Sequence, residues 1–202
     1  MKYLGIGLCL LLLVSCRGVP ERADNDTSDG IWLSERQQYF SEHPSWQASG
    51  RMAIRDKNRG IGLNFDWKTL NNEEYELVLR TTGGRWVLKV RPGFAELEGT
   101  KIGHLVDSEP GPLVEQALGW PLPVTLMQDW FRSLPGDQKA RLRFAGDGSL
   151  LNIRYDDWSI DYTRYEVISA GIETDVLMPT RLEAERTPYL VRVLVSDWVL
   201  GE

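Results

Sequence analysis

The sequence predicts an α+β domain in which one curved antiparallel sheet carries its helices on a single face. Residues 46–67 contain two arms whose apolar side chains recur at every second position, on either side of a charged turn. The same alternation returns in later segments, on both sides of residues 113–131, where apolar residues follow helical spacing instead. An order of strands, then apolar helices, then strands fits one sheet whose concave face the helices cover.

The two arms of residues 46–67 are predicted to form a β-hairpin whose inner face is apolar. Glycines at positions 50, 60 and 62 suit bulges or strong bending, because they have no side chain to stiffen the ribbon. The alternating apolar residues are Trp46, Ala48, Met52 and Ile54 on the first arm, and Ile61, Leu63, Phe65 and Trp67 on the second.

The remaining elements follow from the same two periods. Residues 31–41 are predicted to form a short amphipathic helix, with Ser28 and Asp29 as candidate N-caps. We expect this helix to pack on the outside of the sheet. Helical spacing returns in residues 113–118 and 126–131. Strand alternation is present in residues 75–79, 86–90, 94–97, 142–144, 151–155, 158–162, 182–184 and 189–195. We expect one domain, residues 31–202.

Residues 1–15 are predicted to be a signal peptide, with Lys2 before an apolar run that is too short to span a bilayer. The run ends in Leu-Val-Ser-Cys, which resembles the lipobox of bacterial lipoproteins, so Cys16 is the expected site of lipid attachment. Because Arg17 and not Asp follows the cysteine, the resemblance implies the periplasmic face of the outer membrane. Residues 16–30 are polar and are predicted to be a flexible tether.

The composition argues against several functions. The net charge is −6 and no basic stripe is present, which argues against nucleic acid as a partner. Cys9 and Cys16 are the two cysteines, so the body of the chain has no thiol. His43 and His104 are the two histidines, and we place His104 in a polar loop. Neither has another metal-ligating residue at a suitable spacing. The sequence also contains no P-loop, nucleophile elbow or HExxH motif. We expect no catalytic residue, cofactor or metal.

Large apolar side chains are abundant: eight Trp, seven Tyr, five Phe and four Met. They can fill a solid core, or some of them can line a cavity for flexible apolar ligands. Composition alone favours the solid core.

Several motifs taken together resemble the LolB family of outer-membrane lipoprotein receptors. They are the run LGWPLP at 118–123, Trp130 with LPG at 134–136, WSIDY at 158–162 with Tyr165, LMP at 177–179, and Trp198. The resemblance implies an open half-barrel around an apolar cavity, which accepts acylated lipoproteins from the periplasmic carrier LolA and inserts them into the outer membrane without nucleotide hydrolysis. We expect a monomer. The candidate cavity and lid residues are Met52, Ile54, Leu63, Phe65, Trp120, Leu126, Met127, Trp130 and Phe131.

The sequence departs from the family in one loop. The family commonly has Pro-Leu-Gly after the third strand, with an exposed Leu implicated in delivery to the membrane. Here the loop is Thr82-Gly83-Gly84, and Gly83 occupies the position of that Leu. We hypothesise that Trp86 takes over the membrane contact.

Two other functions remain open. The protein could be a structural or interaction lipoprotein of an envelope complex, with a solid core, or a carrier of small apolar ligands.

Overall fold

A computed structural model of the chain describes residues 29–136, 139–171 and 175–201. The described part contains helices α1 (Asp29–Glu42), α2 (Pro110–Leu118) and α3 (Val124–Phe131). Its strands are β1 (Trp46–Arg55), β2 (Gly60–Thr69), β3 (Tyr75–Thr81), β4 (Gly84–Arg91), β5 (Phe94–Gly99), β6 (Gly103–Asp107), β7 (Arg141–Phe144), β8 (Leu150–Tyr155), β9 (Trp158–Ser169), β10 (Asp175–Arg186) and β11 (Tyr189–Leu200).

The predicted signal peptide, Cys16 and the tether up to residue 28 lie outside the described residues. The last two residues assigned to the tether, Asp29 and Gly30, form the start of α1.

All described strands belong to one antiparallel sheet in the order β6-β5-β4-β3-β2-β1-β11-β10-β9-β8-β7. Each half of the order is a meander of sequential neighbours, and the halves join where β1 pairs with β11. The edge strands β6 and β7 lie at opposite ends of this order, so the sheet stays open. The predicted single antiparallel sheet with helices is therefore confirmed.

The opening hairpin has the predicted register. Met52 pairs with Leu63 and Ala48 with Trp67, and all four side chains are buried. Consecutive strand residues point to opposite faces, so this pairing places one apolar row inside.

Gly50 is the one of the three hairpin glycines that lies at a bulge. The β1–β11 register shifts between Ser49 and Gly50, whereas β1 and β2 pair without a shift through Gly60 and Gly62. A Cβ atom on Gly50 would lie 2.0 Å from the Leu194 carbonyl oxygen, so only glycine allows the two backbones to approach this closely.

The three helices cover different parts of the inner face. Helix α2 packs on β4, β5 and β6. In α3, Phe131 contacts aromatic rings of β1, β2 and β11. In α1, Trp32 packs edge-on against Phe144 of β7 and Tyr165 of β9.

Two local predictions were wrong. Helix α1 was expected outside the sheet, but Phe40 is part of the main apolar cluster, beneath the guanidinium of Arg132 at the end of α3. His104 was placed in a loop, but it lies on edge strand β6, with Nδ1 3.4 Å from Glu98 Oε1. Strand β6 is short and mostly exposed, so it shows little apolar alternation.

Candidate functional site

Phe131 occupies the centre of the space between sheet and helices. Its ring centroid lies 5.3 Å from that of Phe65, 5.3 Å from Trp67, 6.2 Å from Trp46 and 6.2 Å from Trp198. The side chain is fully buried. Helix α3 therefore rests directly on the sheet, and aromatic rings fill the space beneath it.

The structure brings the sequence-predicted cavity and lid residues together. Leu126 is partly exposed and packs against the rim of the cluster. The other eight are buried members of one apolar cluster: Met52, Ile54, Leu63, Phe65, Trp120, Met127, Trp130 and Phe131. Strands β1 and β2 supply the floor, and α3 with the segment before it supplies the cover.

Buried polar contacts hold the end of α3. The Tyr162 hydroxyl donates to the Trp130 carbonyl oxygen at 2.8 Å. Arg36 of α1 donates from Nε to the Arg132 carbonyl oxygen and from Nη1 to the Leu177 carbonyl oxygen, the latter at 2.8 Å. Burial lowers the pKa of Arg36 to about 10, since an apolar environment disfavours the charged form. Arg36 thus links α1, α3 and β10.

Arg132 makes a second set of contacts at the same place. Its Nη2 lies 2.6 Å from Asp129 Oδ1, and its Nη1 donates to Asn72 Oδ1 in the β2–β3 turn at 2.8 Å. Burial raises the pKa of Asp129, and the Arg132 charge partly opposes that rise. The C-terminal end of α3 is therefore tied to both α1 and the sheet.

The junction between α2 and α3 is held from outside by Arg59 in the β1–β2 turn. Its Nη2 donates to the Gly119 carbonyl oxygen at 2.7 Å, and its guanidinium carbon lies 4.6 Å from the centroid of the Trp120 ring. Asp56 shapes this turn, because its Oδ1 accepts from the backbone amides of Asn58 and Arg59 at 2.7 and 2.9 Å. These bonds lower the pKa of the Asp56 carboxyl.

Sequence reasoning missed Arg36, Arg59 and Arg132 as site residues. A signal existed for Arg36, because it shares the apolar face of the predicted helix with Trp32 and Phe40. No comparable pattern marks Arg59 or Arg132, because the contacts that join them to other elements, with Gly119 and Asn72, are distant in sequence.

A hollow of about 920 Å³ lies on the opposite, outer face of the sheet. Among its lining residues are Arg51, Asn64, Arg181 and Arg192, which alternate along their strands with buried residues. Apolar groups, among them Ala53 and Leu194, line the hollow together with these polar side chains.

The family model "Outer membrane lipoprotein LolB" matches residues 44–198. The chain belongs to the LolB family. The outer-membrane lipoprotein LolB of Pseudomonas paraeruginosa is 31% identical over 195 residues, which cover 94% of this chain and 91% of the relative. That of Xanthomonas oryzae is 31% identical over 210 residues, 96% of this chain and 94% of the relative.

One solved structure supports the fold alone. A DUF1329 family protein from Desulfovibrio piger superposes with a TM-score of 0.50 at 10% identity, covering 84% of this chain and 90% of that one.

The loop that departs from the LolB pattern is a two-residue turn. Thr81 pairs with Gly84, so Thr82 and Gly83 form the turn between β3 and β4. A Cβ atom on Gly83 would meet only the Thr81 Oγ1, at 3.6 Å. The backbone here therefore has room for a side chain.

The position of Trp86 does not favour the membrane contact that the sequence hypothesis assigned to it. Its side chain is 9% exposed and belongs to the inner apolar cluster. The ring lies so close to Gly99 that a Cβ atom there would be 2.1 Å from Trp86 Cδ1. The alternation that places Trp86 on the same face as buried Leu88 explains this orientation.

In the described segments, no group of three or more His, Cys, Asp or Glu could hold a metal ion. No helix in that part of the chain is both long enough and apolar enough to cross a bilayer.

Proposed function

We propose that this LolB-family protein is a lipid-anchored receptor that accepts acylated lipoproteins from the periplasmic carrier LolA and delivers them to the outer membrane. The observation that carries the proposal is the aromatic interior under α3, centred on Phe131, in a chain of this family. An acyl chain would replace the contacts that Phe131 makes with the sheet.

The physical need for such an interior follows from the cost of exposing an acyl chain to water. Transfer from an apolar environment costs about 0.8 kcal/mol per CH₂, which is on the order of 12 kcal/mol for a sixteen-carbon chain. A lipoprotein with several such chains requires shielding at each step. Passing the chain between two similar interiors changes apolar exposure little, so the transfer needs no nucleotide hydrolysis and no catalytic residue at this step.

The filled interior implies that the helices move when a client binds. Helix α3 has eight residues, and its end is held by a small set of polar contacts from Arg36, Arg132 and Tyr162. The neutral Tyr162 bond contributes about 0.5–1.5 kcal/mol, and each guanidinium bond contributes about 1.5–3 kcal/mol. The apolar surface of the incoming chain can therefore offset their loss.

Attachment through Cys16 places the receptor where the client is released. A lipid on Cys16 and a tether up to residue 28 hold the domain at the periplasmic face of the outer membrane, where the bilayer is the final acceptor. As a monomer, the domain acts alone between the carrier and the membrane.

A transfer experiment tests this proposal. The full lipidated chain in vesicles is mixed with LolA that carries a fluorescently labelled lipoprotein, and the label is measured in the vesicle fraction. The proposal expects the label to enter the vesicles, and to stay on LolA when the receptor is omitted. Retention of the label on competent LolA in both samples contradicts it.

A second candidate is favoured by the filling of the interior. The tight contacts of Phe131 are also those of a solid core in a structural or interaction lipoprotein. Stoichiometric binding of a fluorescent apolar probe argues against a solid core. Competition by an acylated peptide then separates a lipoprotein receptor from a carrier of small apolar ligands.

A further inference from the structure

Six buried polar side-chain atoms have no hydrogen-bond partner among the described residues, and two of them are donors on adjacent rings of β2 and β3. They are Nε1 of Trp67 and the hydroxyl of Tyr75. Trp67 is 1% and Tyr75 is 3% exposed, and their ring centroids lie 5.2 Å apart on neighbouring strands. Burying an unpaired donor is destabilising, so buried donors without partners are rare and call for an explanation.

These donors do not hold the helices in place. The contrast is with Tyr162, which is equally buried and uses its hydroxyl to bind the Trp130 carbonyl oxygen at 2.8 Å. Burial raises the pKa of Tyr75, so its hydroxyl keeps its proton at neutral pH and remains a donor. The ring of Trp67 packs 5.3 Å from that of Phe131, so the pair borders the space that Phe131 fills.

The position of the pair is also informative. Tyr75 is the first residue of β3, directly after the turn that contains Asn72, the acceptor for Arg132. The pair therefore lies towards one end of the sheet, near the place where the end of α3 is fastened. An acyl chain that enters at this end of the sheet would extend its hydrocarbon tail towards Phe131 and leave its polar linkage beside Tyr75.

We propose that Trp67 and Tyr75 form a hydrogen-bonding site for the carbonyl oxygen of an ester-linked acyl chain. The inference rests on the proposed function and names the ligand group that this interior recognises. An ester carbonyl accepts hydrogen bonds and donates none, so it complements two neutral donors. A hydrocarbon chain would leave both donors unpaired, and a carboxylate would bring a buried charge to a site with neutral donors.

The experiment compares two ligands that differ only at the linkage. One peptide carries a glyceryl group with two ester-linked sixteen-carbon chains; the other carries the same chains through ether oxygens. Dissociation constants for the full chain are measured by fluorescence titration. The wild type is expected to bind the ester peptide about 5–10-fold more tightly, in line with one or two net hydrogen bonds.

Tyr75→Phe keeps the ring and removes the hydroxyl. It is expected to reduce the ester preference to the share that Trp67 Nε1 alone supplies, about 2–3-fold, to leave the ether affinity unchanged and not to lower the melting temperature. Tyr162→Phe is the matched control, because it removes a hydroxyl that has a partner: it should lower the melting temperature and preserve the ester preference.

Three results overturn the inference. They are equal binding of both peptides by the wild type, an ester preference that Tyr75→Phe leaves undiminished, and an equal loss for both peptides in Tyr75→Phe. In each of these the proposed function stands, because acylated ligands still bind. Failure of both peptides to bind the wild type overturns the proposed function together with the inference.

Discussion

Arg59 and Gly119 are joined by a 2.7 Å hydrogen bond between a guanidinium Nη2 and the carbonyl oxygen of the residue that caps α2. The bond connects the first turn of the sheet to the junction of the two helices, sixty residues further along the chain. The guanidinium also covers the Trp120 ring. Arg59 thus holds α2 and α3 at the protein surface, whereas Arg36 and Arg132 hold the end of α3 through buried contacts.

Arg59→Ala should loosen the junction between α2 and α3 without unfolding the domain. One hydrogen bond and one exposed cation–π contact are lost, together about 1–2 kcal/mol. We expect faster hydrogen exchange in residues 119–124 and a small fall in the free energy of unfolding. Arg55→Ala in the same hairpin is the control, since Arg55 is exposed; equal exchange in both variants would contradict the role of Arg59.

Phe131→Ala should leave a cavity at the centre of the interior. Removing a fully buried Phe costs about 3–5 kcal/mol, because transfer energy and packing contacts are both lost. Unfolding in urea measures the loss, and a medium-chain alcohol should restore part of it by filling the cavity. Val106→Ala is the control, since Val106 is 56% exposed and should change stability by less than about 0.5 kcal/mol. No effect of the alcohol on Phe131→Ala would show that the interior collapses instead of opening.

Gly50→Ala should be strongly destabilising. The new Cβ atom would overlap the Leu194 backbone, and that clash requires the β1–β11 pairing to shift, at a cost of at least about 2 kcal/mol. Gly62→Ala is the matched control on the neighbouring strand, where a Cβ atom meets nothing within 4 Å. That change should be neutral or stabilise by about 0.5 kcal/mol. Similar melting temperatures for the two variants would refute the argument.

Gly83→Leu should increase membrane binding. The turn has room for the side chain, and burying a Leu contributes about 1.5–3 kcal/mol, or about 10–100-fold in affinity for vesicles. Co-sedimentation of the Cys16→Ala background with vesicles isolates this effect from the lipid anchor. Gly83→Ser controls for the loss of glycine, and an equal increase with Ser would argue against an apolar contact.

Ionisation of Asp129 should lower the free energy of unfolding as the pH rises above the ordinary pKa of a carboxyl group. Its pKa is raised in the folded state, so the folded state holds the proton more tightly and ionisation destabilises it. The fall begins near the unfolded pKa of about 3.9 and ends above the raised folded pKa. Asp129→Asn should flatten this part of the profile, measured as melting temperature against pH. A profile that is unchanged in the variant would assign the dependence to other groups.

The strands with one buried and one exposed face could be predicted from the chain itself. Met52 on β1 and Leu63 and Trp67 on β2 belong to apolar rows that occupy every second position of their strands. This period arises because alternate side chains of a pleated backbone are buried. The same rule indicated that Trp86 faces inward with Leu88. The hypothesis of a membrane contact at Trp86 set that rule aside, and the burial of this side chain argues against it.

Edge strand β6 and the site of α1 could not be predicted in this way. His104 and its neighbours are mostly exposed on both faces, so burial leaves no pattern there. The apolar face of α1 identified the helix, but not the surface against which it packs.

The sequence by itself determined which residues are apolar on one face, where the turns interrupt them, and the family to which the motifs are similar. These are local properties, set by side-chain type and backbone period. Tertiary structure alone decided that β1 pairs with β11, that Arg36 and Arg59 fasten the helices, and that the Trp67 and Tyr75 donors remain unpaired. Each of these depends on which distant backbone atoms approach within hydrogen-bonding distance, and no local period encodes that approach.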